Sequence, residues 1–204
     1  MRRIFASSVF TCMIFAMLAM QSFAQQGDSE NELEKGTTDY QHQKYKDAEK
    51  HFRAAIKANP NSWQAHMELG DALFAQTKMD CIGEYERAKE IADAAQDVTP
   101  EQKRHINDQL GVIYGMSGKF DHSIEIYRKA IVQDPDYPPY YYNLACSYSE
   151  SGNLEQAIVN LQEAYKRKDK WPQYQNFPDP RKDDSFKNWL NDERFVAALK
   201  DTGY

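Results

Sequence analysis

A proline-closed phrase, Gly118-Lys119-Phe120-Asp121-His122-Ser123-Ile124-Glu125-Ile126-Tyr127-Arg128-Lys129-Ala130-Ile131-Val132-Gln133-Asp134-Pro135, returns in variant form three more times along this 204-residue chain at close to a fixed period. Recurrence of that kind, with small residues where two helices would touch and proline at the end of each unit, constrains the chain to a stack of helical hairpins. Each hairpin is too small to bury its apolar face alone and relies on its neighbours. Such a stack defines a way of binding along its length and leaves the partner unspecified.

The spacings inside the third unit have physical reasons. Leu110 and Tyr114 are four apart and share a helix face, and Gly111 lets a second helix approach closely. Gly118 suits the left-handed residue that ends a first helix. Ser123, Tyr127 and Ala130 alternate small and large along the facing stripe of the second helix, and Pro135 stops it. The fourth unit repeats this 34 residues later with Leu144-Ala145, Tyr148, Gly152, Leu154, Ala157, Leu161 and Ala164, while Asp169 stands in the proline's place. The first unit supplies Gly36, Tyr45, Ala48, Phe52, Ala55 and Pro60. The second supplies Leu69-Gly70 and Leu73, then Tyr85, Ala88, Ala92, Ala95 and Pro100, which implies about six extra residues near Met79 to Glu84. A loop of that length would be available to reach a partner.

This pattern resembles the tetratricopeptide repeat family. The resemblance implies an all-α, right-handed α-solenoid of about four hairpins, with units at about 29–62, 63–102, 104–137 and 138–170 inside a repeat domain at 25–170. Residues 171–204 then form a proline- and aromatic-rich linker and a capping segment, in which Phe186, Leu190, Phe195 and Leu199 repeat at helical spacing. In this family the first helix of each hairpin lines a concave groove. Carried onto this chain, the groove positions include Tyr40, Met67, Asp71, Phe74, Asp108, Met116, Tyr142 and Glu150. They contain no Lys or Arg, so the carboxylate clamp of the family's chaperone-binding members is not expected. An aromatic, thioether-bearing and mildly acidic groove suits an extended or helical segment with an apolar ridge and some basic character. A helix cannot bury three consecutive aromatics on one face, so of Tyr140-Tyr141-Tyr142 we expect Tyr142 to face the groove and Tyr141 the interior.

The N-terminus reads as an export signal. Arg2 and Arg3 precede an apolar run from Val9 to Met20, and Ser22-Phe23-Ala24 forms a small-x-small cleavage site, so residues 1–24 would be removed and the mature chain would begin at Gln25. The alternative is an uncleaved anchor over Ile4 to Ala24. Either way the remainder lies outside the cytoplasm, periplasmic or secreted. Without Arg2 and Arg3 the chain keeps 23 of its 25 basic residues against 31 acidic ones, a formal charge of −8. That disfavours nucleic acid as a partner. The expected state is a monomer that binds a protein or peptide, with at most a peripheral membrane contact.

The remaining cysteines, Cys81 and Cys146, fall two units apart, in a loop and on a helix, and are expected as separate thiols. His42, His51, His66, His105 and His122 form no i, i+4 metal pair, and no phosphate loop or nucleophile elbow is present. No catalytic residue, metal or cofactor is therefore expected. The run Lys166-Arg167-Lys168-Asp169-Lys170 is the one basic patch, and Lys166, Arg167, Lys168 and Lys170 form a candidate contact for an anionic surface. The leading expectation is a non-enzymatic scaffold or adaptor of the cell envelope. The alternative is a structural subunit of an envelope assembly, docking through the convex face, the tail or the basic patch.

Overall fold

The computed structural model describes residues 25–173 and 176–201, so the expected export signal lies outside the described residues. Helix α1 covers residues 25–41. It is followed by α2 (Tyr45–Ala58), α3 (Trp63–Ala75), α4 (Cys81–Ala94), α5 (Pro100–Met116), α6 (Phe120–Gln133), α7 (Pro138–Glu150), α8 (Leu154–Lys166) and α9 (Glu193–Asp201). Short 3₁₀ turns occupy Lys168–Lys170, Pro180–Lys182 and Asp184–Trp189. No strand occurs among the described residues. The chain divides between Gln96 and Asp97 into two compact units, each a pair of hairpins, and the second also carries the tail.

The hairpins are cut from one pattern. In each, the last turn of the first helix closes through a single left-handed residue: Gln43 (φ 60°), Thr77 (φ 59°), Gly118 (φ 71°) and Gly152 (φ 85°). In each, the next amide reaches back five residues to a carbonyl: Lys44 to Asp39, Lys78 to Leu73, Lys119 to Tyr114 and Asn153 to Tyr148, at 2.8–2.9 Å. These are Schellman closures, and they set the angle at which the second helix returns. Only two of the four carry the glycine that makes this backbone easy to adopt.

A second repeated contact sets the depth of packing. A Cβ added at Gly70 would stand 2.9 Å from the ring of Tyr85, and Gly36 and Gly111 face Phe52 and Tyr127 in the same way. Each ring thus packs directly against the backbone of the facing helix, where a methyl group would collide with it. The small residues Ala48, Cys81, Ser123 and Ala157 fill the crossing one turn earlier, and all are buried.

This contact corrects the reading of the second hairpin. Cys81 stands in the first turn of α4, fully buried, not in a loop, and Met79 to Glu84 is not an insertion. Eleven residues separate Gly70 from Cys81, one fewer than separate Gly36 from Ala48 or Gly111 from Ser123. The extra length follows α4. Ala88 to Leu110 spans 22 residues, where Ala55 to Leu69 and Ala130 to Leu144 span 14. The sequence misleads here because Tyr85, Ala88, Ala92 and Ala95 copy the spacing of Tyr45, Ala48, Phe52 and Ala55 in sequence alone.

The tail adds the last layer of the second unit. Phe186, Phe195 and Leu199 are buried in one cluster with Tyr141, Tyr142, Leu154, Leu161 and Ala164. The rings of Phe186 and Phe195 stack at 5.4 Å. Leu190, placed with them by its spacing, is exposed.

Candidate functional site

Helix α5 presents Arg104, Asp108, Val112 and Met116 at steps of four, which sets them along one face. Its start is fixed by a full capping box. The Thr99 side chain accepts from the Gln102 amide, the Gln102 side chain accepts from the Thr99 amide, and Pro100 occupies the first turn. Val112 and Met116 are exposed, Met116 at 69 %. In the first unit Phe74 on α3 is exposed at 39 %. Apolar side chains thus stand in solvent at expected groove positions of both units.

The other positions behave differently. Met67 is buried in the first unit. Asp71 accepts a hydrogen bond from the Tyr85 hydroxyl and so ties the groove side of α3 to the ring packed on Gly70. Tyr40 is half-buried with its ring edge-on to Tyr45 at 5.3 Å, and burial, followed by the Asp71 charge, raises its pKa. Glu150 is exposed at the end of α7, and partial desolvation with the nearby Asp183 carboxylate raises its pKa.

Tyr142 does not face an open groove. It is 4 % exposed, and all three consecutive tyrosines are buried. Each meets a different wall. Tyr140 packs with Tyr127 of α6, Tyr141 lies 4.3 Å from the Arg167 guanidinium, and Tyr142 meets Trp171, Phe177 and Phe186 edge-on. The third wall is the tail, which a count of helix faces omits. Its hold on α7 is polar as well. Tyr142 and Cys146 donate to Asp183 at 2.9 and 3.8 Å, Ser149 donates to the Ser185 carbonyl at 2.6 Å, and Trp189 donates to the Ser149 carbonyl at 3.3 Å. The expected groove face of the fourth hairpin is occupied by the chain's own tail.

A cavity of about 1040 Å³ lies open in the second unit, floored by α5 and α7 and walled by residues 170–172, Asn176 and Pro178. Asp108 sits in it. Its carboxylate accepts from the Tyr137 hydroxyl at 3.1 Å and from the Asn143 amide at 3.3 Å. Burial pushes its pKa up to about 7, against the opposing pull of those two donors and of Arg104. The Arg104 and Lys170 cations beside the cavity are already paired with other carboxylates. Arg104 donates to Asp134 at 2.6 Å and lies 4.6 Å from the centre of the Tyr137 ring, and Lys170 pairs with Asp136 at 2.8 Å. Tyr137 and Asn143 lie off the family's groove register and Trp171 belongs to the tail, so the repeat register alone does not reach them.

The basic run is largely neutralised in place. Lys166 and Arg167 both pair with Glu163 at 2.6 Å, Lys170 pairs with Asp136, and Lys168 lies over the Tyr165 ring at 4.3 Å. Two histidines serve as tethers between neighbouring helices: His51 contacts Glu32 and His66 contacts Glu84, both at 2.7 Å. Cys81 and Cys146 are free thiols. Among the described residues no cluster of three His, Cys, Asp or Glu could hold a metal, and no helix is long and apolar enough to cross a membrane.

The repeat geometry agrees with comparison to known proteins. Models of the tetratricopeptide repeat match residues 33–103, 105–137 and 126–159. The uncharacterized protein y4yS of Sinorhizobium fredii (strain NBRC 101917 / NGR234) is 30 % identical over 111 residues, covering 54 % of this chain and 57 % of y4yS. This chain therefore spans little more than half the length of that relative. Among solved structures, a crystal structure of MamA superposes with a TM-score of 0.60 at 23 % identity, covering 70 % of this chain and 80 % of MamA. A second MamA structure, MSR-1 C2, gives 0.58 at 20 % identity over 70 % and 78 %. At these identities the likeness is one of fold. With four Schellman-closed hairpins and three matching repeat models, the chain belongs to the tetratricopeptide repeat family.

Proposed function

We propose that this chain is a non-enzymatic scaffold, exported to the cell envelope, that holds a protein segment against the first-helix faces of its hairpins. Tetratricopeptide repeats are protein-interaction modules, and the family membership supports that general role. The observation that carries the finer reading is the exposure of Phe74, Val112 and Met116 at groove positions. An exposed aromatic, a branched aliphatic and a thioether at register-defined positions suit the apolar ridge of a bound segment. The envelope location rests on the Arg2-Arg3, apolar run and Ser22-Phe23-Ala24 pattern alone.

The test is capture with crosslinking from native envelope extract, comparing the wild type with a Phe74→Ala, Met116→Ala double variant. Both side chains are exposed, so helical circular dichroism should not change. Partners captured by the wild type should be lost from the variant, and identical partner sets would overturn the reading. Export is read separately, by whether the mature N-terminus is Gln25 in a fractionated envelope.

A further inference from the structure

The cavity of the second unit has a chemistry more specific than an apolar groove. Three carboxylates line it, Glu101, Asp108 and Asp136, against two cations, Arg104 and Lys170. Both cations already have carboxylate partners, and among the described residues Asp108 makes no ion pair. Asp108 is held only by neutral donors, one from each side, Tyr137 and Asn143. Two aromatic rings, Tyr142 and Trp171, share the cavity with it, and they meet edge to face at 6.1 Å.

A sequestered carboxylate whose neighbouring cation, Arg104, is already paired with Asp134 and Glu101 is an arrangement in which an incoming cation gains much, because little water screens the pair. The aromatic wall favours the same charge and covers an aliphatic stem. Of the two natural cationic side chains, lysine makes the smaller geometric demand on this carboxylate. A bidentate guanidinium needs two parallel acceptors at once, and Tyr137 and Asn143 already take one lone pair on each oxygen, which leaves one on each. An ammonium is a point charge that needs a single remaining lone pair.

We propose that this cavity receives a lysine side chain of a bound protein segment, its ammonium against Asp108 and its methylene stem along Trp171 and Tyr142. The inference rests on the reading of the first-helix faces as a binding surface, and it names the residue that such a segment must carry where it crosses the second unit.

The probe is Nα-acetyl-lysine N-methylamide, titrated into the full mature chain and followed by NMR at the Trp171 indole N–H and the Asn143 side-chain amide. Nα-acetyl-norleucine N-methylamide, which keeps the stem and lacks the charge, and choline, a cation without a lysine stem, are run in parallel. Saturable shifts confined to the cavity are expected with lysine, with norleucine and choline at least about tenfold weaker. Asp108→Asn, whose amide oxygen can still accept from Asn143 while its amide nitrogen donates to the rotatable Tyr137 hydroxyl, should weaken the lysine response by a similar factor. Equal responses to lysine and norleucine, a stronger response to choline, shifts outside the cavity, or an unchanged Asp108→Asn response would each overturn the proposal. The norleucine and choline arms use the native protein and need no variant to fold. A single amino-acid amide reports on the cavity alone, whereas capture by Phe74 and Met116 reports on the exposed apolar positions of each unit, so either reading can fail without the other.

Discussion

The hydroxyl of Tyr142 on α7 donates to the carboxylate of Asp183, 41 residues further along the chain, at 2.9 Å. That bond joins the fourth hairpin to the tail at the centre of an aromatic cluster formed with Trp171, Phe177 and Phe186. Tyr142→Phe should cost about 1 kcal/mol, the usual net value of one hydrogen bond. Tyr142→Ala also removes the ring and should cost about 3–5 kcal/mol. Chemical denaturation measures both. In the alanine variant, limited proteolysis should cut within residues 171–192 at protease concentrations that leave the wild type intact.

Asp108 makes stability depend on pH in an unusual direction for a carboxylate. Its folded pKa of about 7 lies above the ordinary value of 3.8, so the folded state binds the extra proton between those limits. The contribution is fully present below about pH 4 and is lost as pH rises through about 7, by at most about 4 kcal/mol. Glu101, Arg104 and His105 on α5, with Asp136, Tyr137 and Lys170 opposite, surround the same cavity. Asp108→Asn leaves them in place and removes the titrating group. The variant should therefore gain on the wild type between pH 4.5 and pH 8, as read from denaturation midpoints.

The left-handed turns at Gln43 and Thr77 are strained where Gly118 and Gly152 are not. Thr77 is exposed and β-branched, the least suited type for this backbone. Thr77→Gly should stabilise the first unit by about 1 kcal/mol, and Gln43→Gly by somewhat less. Thermal unfolding decides it, and a fall in Tm would contradict the turn assignment.

The placement of Cys81 beneath α3 separates two registers for the second hairpin. Cys81→Ala should be tolerated within about 1.5 kcal/mol, whereas Cys81→Leu should overpack the crossing by about 1–3 kcal/mol. Met79→Ser, at an exposed site two residues away, should be close to neutral. Were this stretch a surface loop, all three substitutions would be silent.

Most of the architecture was legible because each hairpin writes the same contacts into similar spacing. Gly111 with Tyr127, and Gly118 in the turn, are chemically distinctive residues doing chemically distinctive things. Legibility failed where one residue type stood in for another. Cys81 stands at the crossing where other hairpins have Ala48 and Ala157, and Thr77 in the turn where others have Gly118 and Gly152, so the spacing of Tyr85, Ala88, Ala92 and Ala95 points to a shifted register. The site was half legible for a different reason. Asp108 and Met116 follow from the repeat register, but the cavity around Asp108 and the burial of Tyr142 depend on a tail that crosses the fourth hairpin from outside the repeat. No period in the sequence reports where a non-repeating segment returns.

The tail's grip on α7 and α8 also fixes a polarity for how such an array can change size. Phe186, Phe195 and Leu199 consume the apolar surface that a fifth hairpin would need for docking. A further hairpin could dock on this face of the second unit only by displacing the tail. The last hairpin is committed to being last, and any gain of repeats must leave it and its tail together as a single inherited piece.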